Sequence, residues 1–331
     1  MKKETRFQKI WKVIKFLLAF GLLFLILSTI NWRHVKQIRL QIDWEWLIIH
    51  VVAYFMMTLI KALQYRVLID ENIKYKDVLH VVIWQNTISN FIATGAGIAS
   101  YMAMLKTEKN VQLTQSAAVF VLTKFGDLIS LFFFMSISAV VVWGQIVPLS
   151  LLTIFVLCGV LLMLATLIGA IILRKRFLIF LKSLLRWLRI DHLSVVSRGM
   201  EGVTTLIEIQ KEVLVSKLRR STKIAFLYMF VTMICAFSSL KMFGVQIGLW
   251  AAVYVATIMQ LISFLPIQVL GGLGVIEATS VYFYSFFGLL ESETVPVLLA
   301  IRLVFYLINL IISLYLPVSS FWRHKSEKMV L

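Results

Sequence analysis

Of the 331 residues 60% are hydrophobic and the mean hydropathy is +0.91, which excludes an ordinary soluble domain and points to an integral membrane protein. Net charge is +17, from 33 Lys and Arg against 16 Asp and Glu. Apolar runs recur along the whole chain, so no soluble domain carries a basic nucleic-acid-binding face; the excess reports orientation in the membrane and contact with anionic lipid.

Residues 1–15 are basic and amphipathic, and the positive-inside rule places this end in the cytoplasm. A first span is predicted over 13–30; it lacks a small-residue cleavage site and reads as a retained helix. The loop at 31–45 carries Arg33, Lys36 and Arg39, which runs against placing it outside. A second span covers 46–68, with Lys61 and Arg66 near its inner end. Residues 78–105 contain Asn86, Asn90 and Ala93-Thr-Gly95-Ala-Gly97, an apolar segment interrupted by glycine. The third span, 116–142, holds Lys124 and Asp127, and a Trp143-Gly144 turn with Pro148 leads into the fourth, 149–173.

Residues 174–223 form the one long polar stretch, with twelve Lys and Arg against four acids, and this fixes a cytoplasmic connector. Within it, 177–190 reads as an amphipathic helix with Lys182, Arg186 and Arg189 on one face. Such a helix suits either an anionic lipid surface or a solvated connector. The fifth span is predicted at 224–243 and the sixth at 294–317, and the basic tail from Arg323 to Lys328 is again cytoplasmic. Cys158 and Cys235 lie in apolar runs and read as small core hydrophobes. The five histidines are dispersed without metal-ligand spacing, so no metal or other cofactor is expected.

Between the fifth and sixth spans, residues 250–290 are too long and too broken for one helix. Pro266, Gly271, Gly272 and Gly274 interrupt them, because proline removes a ladder hydrogen bond and clustered glycines weaken what remains. Two half-helices joined by an irregular turn is the expected form, with a kinked helix and a loop as the plainer alternative. Irregular backbone at membrane depth requires burial in protein or a cavity to line. With the connector and both ends inside, 46–143 and 224–317 have the same order of helix, broken hairpin and helix in opposite orientation. The expected fold is therefore all-α and polytopic, with about six full spans and two re-entrant hairpins forming an inverted repeat within a single membrane domain, 1–331. Paired interruptions of this kind point to a transporter site near the midplane.

The charges follow the same pairing: Lys124 lies 27 residues after Gly97 and Arg302 lies 28 after Gly274. Charges buried in a bilayer face a cavity or a partner. Asp127, one turn from Lys124, is placed to neutralise it, and Glu277 is the natural partner of Arg302 or of a substrate cation. Internal ion pairs that only hold the bundle are the alternative. The candidate substrate-binding set is Asn90, Gly95, Gly97, Lys124, Asp127, Pro266, Gly271, Gly272, Gly274, Glu277 and Arg302. Helix N-termini at the turns, with Lys124 and Arg302, suit a lipid phosphate, and Glu277 suits a cationic substituent or a coupling proton.

The stretch Pro266-Ile-Gln-Val-Leu-Gly271-Gly272-Leu-Gly274-Val-Ile-Glu277 resembles the signature of the lysylphosphatidylglycerol synthase membrane (flippase-like) family, which includes the N-terminal half of the multiple-peptide-resistance factor. Thr123-Lys124-Phe-Gly-Asp127 looks like that family's Glu-Arg-x-x-Asp pattern with the first acid and the arginine replaced, and 93–97 lacks its usual proline, acid and arginine. The resemblance implies translocation of an anionic or aminoacylated lipid, such as lysylphosphatidylglycerol or an isoprenoid lipid, across a bacterial cytoplasmic membrane, with a role in resistance to cationic peptides. Full-length relatives add a soluble aminoacyl transferase, which this chain lacks room for, so an enzyme is not expected. A lipid-modifying enzyme or subunit and a non-transporting regulator of envelope synthesis stand as alternatives. Expected partners are a phospholipid or isoprenoid head group and anionic lipid at the basic face; nothing in the pattern excludes a homo-oligomer.

Overall fold

The computed structural model describes residues 42–69, 73–109, 111–173, 211–264 and 270–317, with isolated positions 176, 179 and 183. The predicted first span, both basic ends, Pro266 and nearly all of the amphipathic stretch at 177–190 lie outside the described residues.

Nine α-helices make up the described fold, with no strand among those residues: α1 (Trp44–Ile69), α2 (Tyr75–Phe91), α3 (Thr94–Lys109), α4 (Leu113–Val141), α5 (Ser150–Leu173), α6 (Lys211–Lys241), α7 (Leu249–Ser263), α8 (Val275–Ser285) and α9 (Glu291–Ser313). Single 3₁₀ turns at Val147–Leu149 and Leu270–Gly272 precede α5 and α8. Five helices, corresponding to α1, α4, α5, α6 and α9, are long and apolar enough to cross a membrane. They match the second to sixth predicted spans, and the chain is an all-α polytopic membrane protein.

The remaining helices are short. At 1.5 Å per residue, the 15 residues of α7 rise about 22 Å and the 11 of α8 about 16 Å, against a hydrocarbon core of about 30 Å. Neither crosses alone. α2 and α3 pack on each other, as α7 and α8 do, so each pair is a helical hairpin.

The pairings of helices repeat. α1 lies along α6 in the most extensive contact of the fold, α4 packs on α7, and α9 packs on α2. Exchanging α1 with α6, α2 with α7, α3 with α8 and α4 with α9 reproduces this set, so each closing helix braces the other half's hairpin. The larger apolar core sits among α4–α8, around Leu131, Met135, Met229 and Tyr254, and a second core joins α1–α4 around Tyr65, Val82, Tyr101 and Leu105. α5 leans on this assembly with one face only; Leu151 and Phe155 point outward, as lipid-facing side chains do.

Three expectations are corrected. The chain break in the first hairpin is at Ile92–Ala93, and Gly95 and Gly97 lie within the first turns of α3. α6 begins at Lys211, so the last part of the polar stretch is helix continuous with the fifth span. Cys158 is exposed on the outer face of α5, whereas Cys235 is buried as expected.

Candidate binding cavity at the hairpin turns

The two hairpin turns touch through main-chain atoms. The Leu270 N–H donates to Ile92 O at 3.1 Å, and α2 packs on the 270–272 turn. Glycine is required here: Gly271, Gly272 and Gly274 all have positive φ (64°, 83° and 82°), and a Cβ on Gly271 would come within 3.3 Å of Asn90 O. Gly97 has a different purpose. A Cβ there would fall on Ser89 Oγ and within 2.7 Å of Gln85 O, so this glycine lets α3 approach α2 closely.

Beside the touching turns is a cavity of about 300 Å³, bounded by α1, α2, α4, α6, α7, α9 and the start of α3 and α8. Its charged lining is Lys61, Lys124 and Arg302. Two buried ion pairs stand at its margin. Lys61 Nζ donates to Asp127 Oδ2 at 2.7 Å and Oδ1 at 2.8 Å, and to Gln64 Oε1 at 2.9 Å. Gln64 Nε2 in turn donates to Asp127 Oδ1 at 3.1 Å and to Thr123 O at 3.3 Å. Asp127, with a side chain 1% exposed, is thus the acceptor of a closed network linking α1 to α4.

Lys124 was expected to be Asp127's partner. It does pair with Asp127, but as a looser ion pair at 3.9 Å from Oδ2, beyond hydrogen-bonding distance, and its side chain is 33% exposed. Its ammonium sits over the Phe264 ring at 4.5 Å. Lys61 occupies the close position instead because packing of α1 on α4 brings it there from 66 residues away.

In the second half, Arg302 Nε donates to Glu277 Oε1 at 2.6 Å, the pairing expected from sequence. Arg302 Nη1 donates to Gly271 O at 3.1 Å, and the Gly274 N–H donates to Glu277 Oε2 at 2.7 Å. Glu277 is therefore engaged at both oxygens. It holds the first turn of α8 and the guanidinium together and does not line the cavity, contrary to its expected position facing a substrate cation. Arg302 is 8% exposed and its Nη2 is buried with no hydrogen-bond partner among the described residues. Phe305 and Tyr306 flank its guanidinium, and the Tyr306 hydroxyl donates to Leu270 O at 2.7 Å. Asn90 donates to Asn309 Oδ1 at 2.6 Å while Asn309 Nδ2 donates to the Tyr54 hydroxyl at 2.8 Å, tying α1, α2 and α9 at the cavity edge.

Of the candidate residues, Asn90, Lys124, Gly271 and Arg302 line one cavity. Asp127 and Glu277 stand behind it, Gly272 and Gly274 shape the turn, and Gly95 and Gly97 belong to α3. Sequence reasoning passed over Lys61 as a marker of orientation; its signal was a lysine eight residues short of the end of a predominantly apolar helix, two turns inside it rather than at its end. Among the described residues, no three His, Cys, Asp or Glu side chains gather as a metal site requires.

Residues 12–313 match the family described as the lysylphosphatidylglycerol synthase TM region. The chain belongs to that family. No curated protein and no solved structure matches it. The lysylphosphatidylglycerol synthase TM region is a membrane domain with a role in lipid handling, and the cavity at the hairpin turns is where its buried charges converge.

Proposed function

We propose that the protein carries a phospholipid from one leaflet to the other, binding the head group in the cavity at the hairpin turns. The observation that carries this reading is Arg302: a fixed, largely buried guanidinium on a residue that lines the cavity together with Lys124, with one nitrogen, Nη2, that has no hydrogen-bond partner among the described residues. Guanidinium groups suit phosphate geometry, and a buried donor without an acceptor is costly unless a ligand supplies one. The N-terminal residues Thr94 of α3 and Ile276 of α8 also border the cavity, so two helix dipoles favour an anion there.

The repeated helix pairings support a repeat of 46–143 and 224–317; in the proposed topology α2–α3 and α7–α8 re-enter from opposite sides of a bacterial cytoplasmic membrane and both chain ends lie inside. Alternating access around a fixed midplane site is the motion such repeats allow. Lipid movement in proteoliposomes tests the reading. Wild-type protein should move a labelled lipid that Arg302→Ala and Lys124→Ala do not; wild-type rates in both variants would remove the cavity from the mechanism.

A further inference from the structure

No Asp or Glu lines the cavity among the described residues. The five residues 265–269 that connect α7 to the turn contain no acid either. Both nearby carboxylates are buried and committed, Asp127 to Lys61 and Gln64, Glu277 to Arg302 and the Gly274 N–H. Lys61, Lys124 and Arg302 against Asp127 and Glu277 leave one positive charge in excess, matching the single negative charge of a phosphodiester. A lysyl ester would bring two ammonium groups to this wall, with no counter-ion to meet them and Lys124 beside them. Like charges brought together in a partly desolvated site oppose binding strongly.

The rest of the lining is neutral and polar. Asn86 on α2 and Gln260 on α7 present amide side chains with no hydrogen-bond partner among the described residues, and Thr94, the first residue of α3, also lines the cavity. An amide offers both a carbonyl acceptor and N–H donors, which complements hydroxyl groups. The volume, about 300 Å³, is at the small end for a ligand site.

Resting on the reading of the cavity as a head-group site, we infer that its ligand is a phosphodiester bearing one small, uncharged, hydroxylated substituent, such as glycerol or a single sugar, and not a cationic aminoacyl ester. The phosphate meets the Arg302 guanidinium and Lys124, and the hydroxyls meet Asn86 and Gln260.

Thermal unfolding of the full chain in detergent, titrated with phosphatidylglycerol, lysylphosphatidylglycerol or acyl-free glycerophosphoglycerol, tests this. Phosphatidylglycerol should stabilise at concentrations about tenfold lower than the lysyl ester, the ratio expected for one unfavourable charge contact of about 1.4 kcal/mol. Gln260→Glu and Asn86→Asp, each nearly isosteric, should reverse the preference by placing a carboxylate on the wall. Stabilisation by glycerophosphoglycerol as well would mark a soluble phosphodiester as sufficient; its failure beside lipid binding would mark the acyl chains as required, and both support the assigned head group. Equal or tighter binding of the lysyl ester by the wild type overturns the inference, as does no response to any of the three. Transport of the same two lipids is scored separately: binding without movement would end the proposal of translocation and leave the ligand class standing.

Discussion

Arg302 and Glu277, 25 residues apart in sequence, meet at 2.6 Å as a buried pair whose carboxylate also closes the first turn of α8. The pair fixes the guanidinium so that Nε and Nη1 are occupied and Nη2 is left over. Removing one member of a buried pair costs about 3–5 kcal/mol because the other charge is stranded. Glu277→Gln should therefore lower unfolding stability by that order as well as transport. A Glu277→Gln protein as stable as wild type in detergent would show that the carboxylate is a ligand and not a brace.

Lys124 differs from its neighbours in having room. Because Asp127 keeps Lys61 and Gln64 as partners when Lys124 is removed, and the Lys124 ion pair is long at 3.9 Å, Lys124→Ala should change stability by less than about 1 kcal/mol. Head-group binding should nevertheless fall. Asp127→Asn is the contrast, since it strands Lys61 and should lower stability by about 3–5 kcal/mol. Denaturation of the two variants side by side separates the roles; equal losses would mean Lys124 is as structural as Asp127.

Gly97→Ala places a methyl group on Ser89 Oγ and near Gln85 O. The hydroxyl can rotate or be removed, but the carbonyl of α2 cannot, so the helices must part. Overpacking of this kind costs about 1–3 kcal/mol. Adding Ser89→Ala should restore only part of the loss, and full restoration would show that the backbone contact is not limiting.

Gly271→Ala should be damaging for another reason. Its φ of 64° is left-handed, which costs a residue with a Cβ about 1–2 kcal/mol, and the methyl also presses on Asn90 O. Because the strain falls on the carbonyl that receives Arg302 Nη1, head-group binding should drop further than stability alone explains. Binding unchanged at a temperature where the protein remains folded would contradict this.

Hydropathy and punctuation carried most of the architecture. Long apolar runs located α1, α4, α5 and α9, and the cluster Gly271, Gly272, Gly274 marked a backbone no side-chained residue adopts readily. The pairing of Arg302 with Glu277 was legible because both interrupt apolar runs, whereas Glu291 and Glu293 sit together at the start of α9. Lys61 was not, because a contact across 66 residues depends on which faces of α1 and α4 meet. Gly95 and Gly97 misled for a related reason: glycine serves both turns and close helix packing, and only the neighbouring chain distinguishes them. The start of α6 at Lys211 was hidden by charge, since the polar residues that suggested a loop sit on a helix continuing past the apolar stretch.

The bond from the Leu270 N–H to Ile92 O joins the two halves with main-chain atoms that every residue except proline can supply. Substitution of the surrounding side chains leaves such a hinge pin in place, provided the glycines that permit the approach remain. On the proposed transport reading, the walls holding Asn86, Gln260 and Thr94 can be re-cut for a different cargo while this main-chain link stays unaltered. Selectivity and the joint between the halves then lie on separate atoms.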